Sequence, residues 1–241
     1  MNIQVTTRCN MRCIHCCFDC TAKGDDMPWD LFVHAVDLAH RANDDICIGG
    51  GEPTLHPRIV QMVQHAVSVR GLSIRGYDHV MIITNGTCSR RTWRKLIEIP
   101  HVDISVSNDI FHNPRRVQPW VRRWADEHHA WWTQDECYQI DMIGRAARNK
   151  RAMKKVARKH NVDIEFDAWT CPEVRVTPTG QLFAERYDVL DCGPFSLAAL
   201  IHGYHHIDRK DLAQTLELYE ERWRYASTRK DRIADIGCCA G

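Results

Sequence analysis

The chain has 241 residues, of which 44% are hydrophobic and 26% charged, and its formal net charge is +1. This composition is ordinary for a soluble globular protein and excludes collagen-like or disordered chains, while the small charge predicts no obligatory polyanion partner. No run approaches the roughly 18 apolar residues of a membrane helix, and the first ten residues lack the pattern of a signal peptide. We therefore expect a cytoplasmic protein with no membrane partner and one sizeable core.

Short β-rich runs alternate with helical patterns along most of the chain. The predicted strands are residues 2–7, 45–50, 79–84, 102–107, 138–142 and 162–169. Apolar residues with helical spacing lie between them, as at residues 29–41. The other predicted helices follow Pro57 or cover residues 89–98, a Trp-rich region between 114 and 132, and residues 145–160. Six βα units in order predict a parallel sheet with chemistry at the carboxyl ends of its strands.

The pattern changes after the sixth predicted strand. Residues 174–185 alternate around Pro178 and Gly180, which predicts a β-hairpin. Residues 210–225 show the periodicity of a final amphipathic helix.

The first strand leads directly into a cysteine-rich loop. Cys9, Cys13 and Cys16 have the spacing C-x3-C-x2-C. Three thiolates can hold three corners of a cubane iron–sulfur cluster and leave one iron open, which is typical of a metal centre that carries out chemistry. A structural zinc held by Cys13, Cys16, Cys17 and Cys20 is the alternative, although its two C-x2-C pairs would need a cramped loop.

The segment "CNMRCIHC" (residues 9–16) resembles the cluster loop of the radical S-adenosylmethionine (radical SAM) superfamily. The resemblance implies a [4Fe-4S] cluster on Cys9, Cys13 and Cys16, with SAM chelating the fourth iron. It also implies reductive cleavage of SAM to methionine and a 5′-deoxyadenosyl radical, which takes a hydrogen atom from the substrate. The implied fold is α/β: a partial (β/α)6 barrel over residues 1–170, with a C-terminal hairpin and helix extension over residues 171–241.

A second motif, "GGGEPTLHP" (residues 49–57), ends the second predicted strand. Glycines let a backbone approach a ligand closely, and a glutamate offers an acceptor for an ammonium group. The resemblance implies that this segment binds the amino group of SAM, because four of its residues match the family motif: Gly50, Gly51, Glu52 and Pro53.

Further candidate SAM ligands lie at the ends of later strands. Asn85 follows the third predicted strand, and "DISVSNDIFHNP" (residues 103–114) resembles the fourth-strand segment of many family members. This resemblance implies that Ser107 or Asp109 hydrogen-bonds the ribose or carboxylate of SAM.

Two more residues are candidates with open alternatives. Arg145, in "IGRAARNK" (residues 143–150), matches a family segment that would bind the SAM carboxylate through a charge-assisted contact, or it belongs to a solvated basic helix. His15 occupies a position where family members often carry an aromatic residue near the adenine, so it is a candidate for stacking, for metal ligation or for simple exposure.

The C-terminal third resembles the family less closely. Cys171 and Gly180 match the opening of a cysteine-rich auxiliary domain of peptide-modifying members, but Glu185 stands where another cysteine is expected. The late cysteines are compatible with a truncated second metal site or with buried thiols: Cys171, Cys192, Cys238 and Cys239.

These observations together predict a radical SAM enzyme that acts on a peptide or protein and takes its electron from a donor such as flavodoxin or ferredoxin. A nucleoside, nucleotide or nucleic-acid substrate is the alternative, because basic and Trp-rich segments are also present. An alternative of another class is a non-catalytic zinc module that binds nucleic acid, which leaves the Gly-Gly-Glu-Pro segment and the six βα units unexplained.

Overall fold

The structure is a computed structural model, described here over residues 1–41, 45–70, 79–112, 114–132, 137–140, 144–166, 174–184 and 205–206. Its helices are α1 (Trp29–Arg41), α2 (Ile59–Arg70), α3 (Arg90–Ile97), α4 (Pro119–Glu127), α5 (Gly144–Arg148) and α6 (Lys150–His160). Single 3-10 turns lie at Pro53–Leu55 and Pro114–Arg116. Within these residues, no helix has the length and apolar character needed to cross a membrane.

The strands, in chain order, are β1 (Asn2–Thr6), β2 (Ile46–Gly50), β3 (Val80–Thr84), β4 (Val102–Ser107), β5 (Trp131–Trp132), β6 (Cys137–Ile140), β7 (Asp163–Phe166), β8 (Val174–Val176), β9 (Gln181–Ala184) and β10 (His205–His206). Eight of them form one sheet in the order β10-β9-β8-β1-β2-β3-β4-β5. The pairs from β1 to β5 are all parallel. The predicted α/β fold with a parallel sheet is therefore confirmed.

One row of isoleucines shows how the register builds the core. Ile3 pairs with Ile48, Ile48 with Ile82, and Ile82 with Ile104. All four are buried. The apolar faces of α1 and α2 belong to the same core cluster, as the helical spacing predicts.

Two predicted strands pair differently from the simple six-strand order. β6 and β7 pair in parallel with each other as a separate two-stranded sheet, while Trp131 and Trp132 extend the main sheet beside β4. The Trp-rich helix ends at Glu127, and these two tryptophans take strand conformation, in keeping with the β-propensity of aromatic residues. The predicted helix over 145–160 is likewise two helices, with Asn149 between them.

The predicted C-terminal hairpin is present as the antiparallel pair β8 and β9. Gly180, at φ 84°, supplies the left-handed conformation of its turn. β8 also pairs in parallel with β1, placing Val176 opposite Ile3. The predicted helix over 210–225 and the late cysteines, Cys171, Cys192, Cys238 and Cys239, lie outside the described residues, and the domain boundary at residue 170 stays a prediction.

Candidate active site

A cavity of about 170 Å³ lies at the carboxyl ends of the central strands. The parallel sheet brings loops together at this edge although they are far apart in sequence. The residues that line the cavity are Asn2, Cys9, Arg12, Cys13, His15, Cys16, Cys17, Phe18, Cys20, Gly49, Gly50, Gly51, Ile83, Thr84, Asn85, Ser107, His112 and Arg145.

The cysteine loop contributes five thiols to this cavity, those of Cys9, Cys13, Cys16, Cys17 and Cys20. Cys20 is buried, whereas Cys9, Cys13 and Cys16 are half-buried. The backbone of the loop folds back on the end of β1, since Cys9 N donates to Thr21 O at 2.7 Å and Thr21 N donates to Thr7 O at 3.2 Å. The three predicted cluster ligands therefore share one chamber.

The thiols differ in how readily they ionise. A hydrogen bond from Cys20 lowers the pKa of Cys16 to about 6, and the same bond raises the pKa of Cys20. Burial raises the pKa of Cys9. The lowered pKa favours the thiolate form of Cys16, which is the form that binds metal. From sequence alone, Cys20 had a role only in the alternative structural zinc site.

Arg145 anchors the cysteine loop from α5. Its guanidinium donates to the carbonyls of Cys13 at 3.0 Å and Cys20 at 2.5 Å, and its backbone N donates to Cys16 O at 2.9 Å. The preceding Gly144 has φ 55°, and a Cβ there would lie 2.3 Å from Cys17 O. This close approach requires glycine, and it places Arg145 at the cavity wall.

The glycine segment after β2 lies against β1 and the start of the cysteine loop. Gly51 N donates to Thr6 O at 2.7 Å, and Glu52 N donates to Arg8 O at 2.8 Å. A Cβ on Gly51 would lie 2.1 Å from Arg8 O, so the two backbones are too close for any side chain. The three consecutive glycines at 49–51 thus present bare backbone to the cavity.

The side chain of Glu52 is fully buried and engaged by its neighbours. Its carboxylate accepts from the hydroxyls of Thr54 at 2.5 Å and Thr84 at 2.7 Å and from Asn85 N at 2.7 Å. Burial raises the pKa of Glu52, and these hydrogen bonds oppose that rise. Glu52 therefore joins the ends of β2 and β3 behind the cavity wall and is not among the lining residues.

Asn85 connects the third strand to the cysteine loop. Its Nδ2 donates to Asn10 Oδ1 at 3.2 Å and lies 3.8 Å from Cys9 Sγ. Ser107, at the end of β4, also lines the cavity and is buried. Both predicted ligands thus lie at the cavity wall.

Asp109 holds a network of two histidines beside the cysteines. It accepts from Phe111 N at 2.7 Å, its Oδ2 is 2.5 Å from His112 Nδ1, and the same oxygen is 3.6 Å from His15 Nε2. Burial opposes protonation of His112, but hydrogen bonds to Asp109 and Cys13 outweigh it and raise the pKa of His112 to about 10. Burial lowers the pKa of His15 to about 4.

His112 is the residue of this network that sequence reasoning did not select as a ligand, although it belongs to the quoted fourth-strand pattern. The ligand atoms of His15, Asp109 and His112 lie within 4.8 Å of one another, close enough to share a metal ion. His15 also packs against Phe111, with ring centroids 4.9 Å apart.

The fold thus brings most of the predicted site residues to one cavity. Those at the wall are Cys9, Cys13, Cys16, His15, Gly50, Gly51, Asn85, Ser107 and Arg145. Glu52, Pro53 and Asp109 are not among the lining residues. Glu52 and Asp109 contact the lining residues from behind, and the chemistry available at the wall is thiolate ligation beside open glycine backbone.

The sequence of this chain matches that of one known protein family. The sequence model of the radical SAM superfamily matches residues 3–131. The match covers the cysteine loop, the glycine segment and the first four strands, so it favours a cluster over a structural zinc at the cysteine loop.

Individual relatives match over shorter stretches. The tungsten-containing aldehyde ferredoxin oxidoreductase cofactor-modifying protein of Pyrococcus furiosus is 39% identical over 90 residues, which is 35% of this chain and 23% of that protein. The S-adenosylmethionine-dependent nucleotide dehydratase of a Thermoplasmatales archaeon is 31% identical over 97 residues, 40% of this chain and 33% of that protein. The matched stretches thus span about a quarter to a third of the length of these relatives.

Among solved structures, that of Streptococcus suis SuiB bound to S-adenosylmethionine is similar with a TM-score of 0.47 and 11% identity, over 75% of this chain and 58% of that one. Enzymes of the matched family use a [4Fe-4S] cluster and SAM, which are the two predicted cofactors. With the family profile covering more than half of its residues, the chain belongs to the radical SAM superfamily.

Proposed function

We propose that this chain holds a [4Fe-4S] cluster on Cys9, Cys13 and Cys16 and uses it to cleave SAM reductively, so that the resulting 5′-deoxyadenosyl radical abstracts hydrogen from a substrate. One observation carries the proposal: three thiols of a single loop and the bare backbone of residues 49–51 face the same cavity. When bound, the cluster supplies one electron to SAM.

The donor set fits a cluster with one open iron. Three of the thiols have the family spacing, and the Cys16 thiol ionises readily because Cys20 donates to it. Arg145 and Thr21 hold the loop backbone through the carbonyls of Cys13 and Cys20 and the amide of Cys9. Such backbone anchoring preorganises the ligands, which a metal site requires for its affinity.

The residues proposed to hold SAM divide into two groups. The backbone of Gly50 and Gly51, together with Asn85 and Ser107, contacts SAM directly from the wall. Glu52 acts by positioning, because its carboxylate is already engaged by Thr54, Thr84 and Asn85. Arg145 combines both roles, since it lines the cavity while it binds the loop carbonyls. His15 forms the wall on the proposed adenine side.

For the substrate, we propose a peptide or protein. The support is the described hairpin β8–β9, which corresponds to the segment that resembles the opening of an auxiliary domain in peptide-modifying members. The electron then comes from a small reductant protein of the flavodoxin or ferredoxin kind, because SAM cleavage consumes one electron per turnover.

A nucleotide substrate is the second candidate. Two relatives carry names that specify nucleotide chemistry, the S-adenosylmethionine-dependent nucleotide dehydratase and the GTP 3′,8-cyclase of Parasynechococcus marenigrum, the latter 29% identical over 91 residues.

Anaerobic reconstitution with iron and sulfide, followed by addition of SAM and dithionite, tests the core reaction. We expect 5′-deoxyadenosine from the wild type and none from a Cys9→Ala/Cys13→Ala/Cys16→Ala variant. Cys47→Ala removes a thiol of β2 that is not among the cavity-lining residues, so it is the matched control and should retain the product. A colourless zinc protein inert toward SAM would contradict the proposal.

The substrate class is tested with deuterium-labelled material. Cell extract from deuterated culture is separated into a peptide and protein fraction and a nucleotide fraction, and each is added to the reaction. Deuterium in 5′-deoxyadenosine identifies the fraction that donated hydrogen. Label from the nucleotide fraction alone would replace the peptide proposal with the second candidate.

A further inference from the structure

A basic groove lies along α4 and the turn that precedes it. Its volume is about 610 Å³, and four exposed arginines line it: Arg115, Arg116, Arg122 and Arg123. Two carboxylates, Asp126 and Glu127, lie at the same groove, and Asp126 accepts from Trp131 Nε1 at 2.7 Å. Because the whole chain has a net charge of only +1, this concentration of guanidinium groups is a local feature.

The groove is connected to the cysteine loop by direct contact. The guanidinium of Arg116 donates to the backbone carbonyl of Asn10, the residue after Cys9. Behind the groove, Gln118 N donates to Gly86 O at 2.9 Å, so the groove is part of the same sheet edge as the cavity. A partner seated in the groove would therefore lie beside the loop that carries the proposed cluster ligands.

The groove and the cavity have separate walls. In the described part of the chain, no residue lines both of them. A substrate confined to the groove would lie outside the cavity, whereas an electron could pass through the loop that Arg116 contacts. This separation favours an electron-transfer partner over a substrate as the occupant.

We propose that this groove, lined by Arg115, Arg116, Arg122 and Arg123, is the docking surface for an acidic one-electron donor protein; the inference rests on the proposed function. In the step that it would serve, the reduced centre of the donor would lose one electron to a cluster held by Cys9, Cys13 and Cys16, which would gain that electron with no bond making or proton transfer. Opposite charges steer such an encounter and raise its association rate.

The lining of the groove itself favours a protein over a nucleic acid as the occupant. Grooves that bind single-stranded nucleic acid combine basic residues with aromatic platforms for the bases. Among the described lining residues of this groove there is no aromatic side chain. Trp124 nearby is engaged elsewhere, with its ring stacked on His128 and edge-on to Trp93.

Stopped-flow reduction of the reconstituted cluster under anaerobic conditions tests the proposal, with a purified acidic flavodoxin in its reduced form as the probe. In an Arg122→Glu/Arg123→Glu variant we expect the flavodoxin-driven rate to fall at least about tenfold, because steering raises association rates by about 10- to 1,000-fold. Reduction by dithionite, a small molecule, should keep its wild-type rate. The flavodoxin rate of the wild type should fall with added salt, and that of the variant much less.

An Arg151→Glu/Lys155→Glu variant is the matched control, because it makes the same change of charge on the exposed face of α6. Equal losses in the α4 and α6 variants would overturn the proposal. The proposal would also be overturned if the α4 arginines proved necessary for binding single-stranded RNA but unnecessary for binding flavodoxin.

The affinity for flavodoxin is measured by a separate binding titration. If dithionite and SAM give no 5′-deoxyadenosine, the proposed function fails, and the Kd for flavodoxin still decides whether the docking surface exists.

Discussion

Glu52 shows how burial changes the role of a single residue. As a sequence element it is an acceptor for the ammonium group of SAM, yet in the folded chain its carboxylate is 0% exposed and accepts hydrogen bonds from three neighbouring residues. Thr84 ends β3 and Asn85 follows it, so these contacts arise only when the sheet forms. In the proposed site it is therefore the glycine backbone beside Glu52, and not the carboxylate, that contacts the cofactor.

Replacing Glu52 with Gln tests this positioning role. Gln keeps one acceptor oxygen but presents an N–H₂ group toward a donor, so either the Thr84 hydroxyl or the Asn85 amide loses its acceptor. A buried donor without a partner costs about 1–3 kcal/mol, and urea denaturation should show a loss of that order in the free energy of unfolding. Glu98→Gln, at an exposed position, is the control and should change little. Equal stability of both variants would refute the role.

Arg145 is the second residue whose partners were not visible in sequence. We expect Arg145→Ala to weaken iron retention about tenfold, since removal of supporting contacts typically costs 10- to 100-fold in metal affinity. Arg148→Ala loses only an exposed ion pair with Asp19, at 2.6 Å, and should retain iron normally. The measurement is iron and sulfide per chain after reconstitution and chelator challenge. Normal retention by Arg145→Ala would mean that the loop holds its shape without this clamp.

At the scale of elements, the site depends on close backbone approach between β1, the cysteine loop and the segment after β2. The three glycines at 49–51 are not equivalent in this contact. A Cβ on Gly51 would meet backbone at 2.1 Å, whereas the nearest atom to a Cβ on Gly49 is 3.7 Å away, an ordinary contact distance.

The two glycines therefore predict opposite outcomes for the same substitution. Gly51→Ala should lower stability by about 1–3 kcal/mol, because the cost of overpacking falls on backbone that has no room to move. Gly49→Ala should leave the thermal midpoint nearly unchanged. Thermal unfolding of both variants by circular dichroism checks the difference. If Gly49→Ala lowers the thermal midpoint as much as Gly51→Ala does, close backbone contact is not the reason that the segment requires glycine.

At the scale of the whole molecule, the C-terminal hairpin joins the main sheet through β8 and β1. Val176 pairs with Ile3, is 0% exposed and belongs to the main core cluster. The predicted boundary at residue 170 therefore separates segments that share one core in the described residues.

A Val176→Ala variant tests whether the hairpin and the main sheet share one core. Loss of this buried side chain should cost about 2 kcal/mol, and hydrogen exchange should show lower protection of the β1 amides along with those of the hairpin. Thr179→Ala, on the exposed turn, is the control and should stay within about 0.5 kcal/mol of wild type. Unchanged protection of β1 would indicate that the hairpin unfolds as a separate unit.

The resemblance of two short motifs identified the family, and local spacing predicted most of the helices and strands and selected the three cysteines as candidate cluster ligands. The C-x3-C-x2-C loop and the Gly-Gly-Glu-Pro segment can each be recognised within a few consecutive residues. Helical periodicity is also a property of a short stretch of sequence. Only the tertiary structure decided the contacts of Glu52, Asp109 and Arg145, and the pairing of β5, β6 and β7. A side chain binds whichever partner lies within about 3 Å, and the partners of Arg145 lie 132 and 125 positions away in the chain. Such partners are set by packing of the whole sheet, which no short stretch of sequence contains.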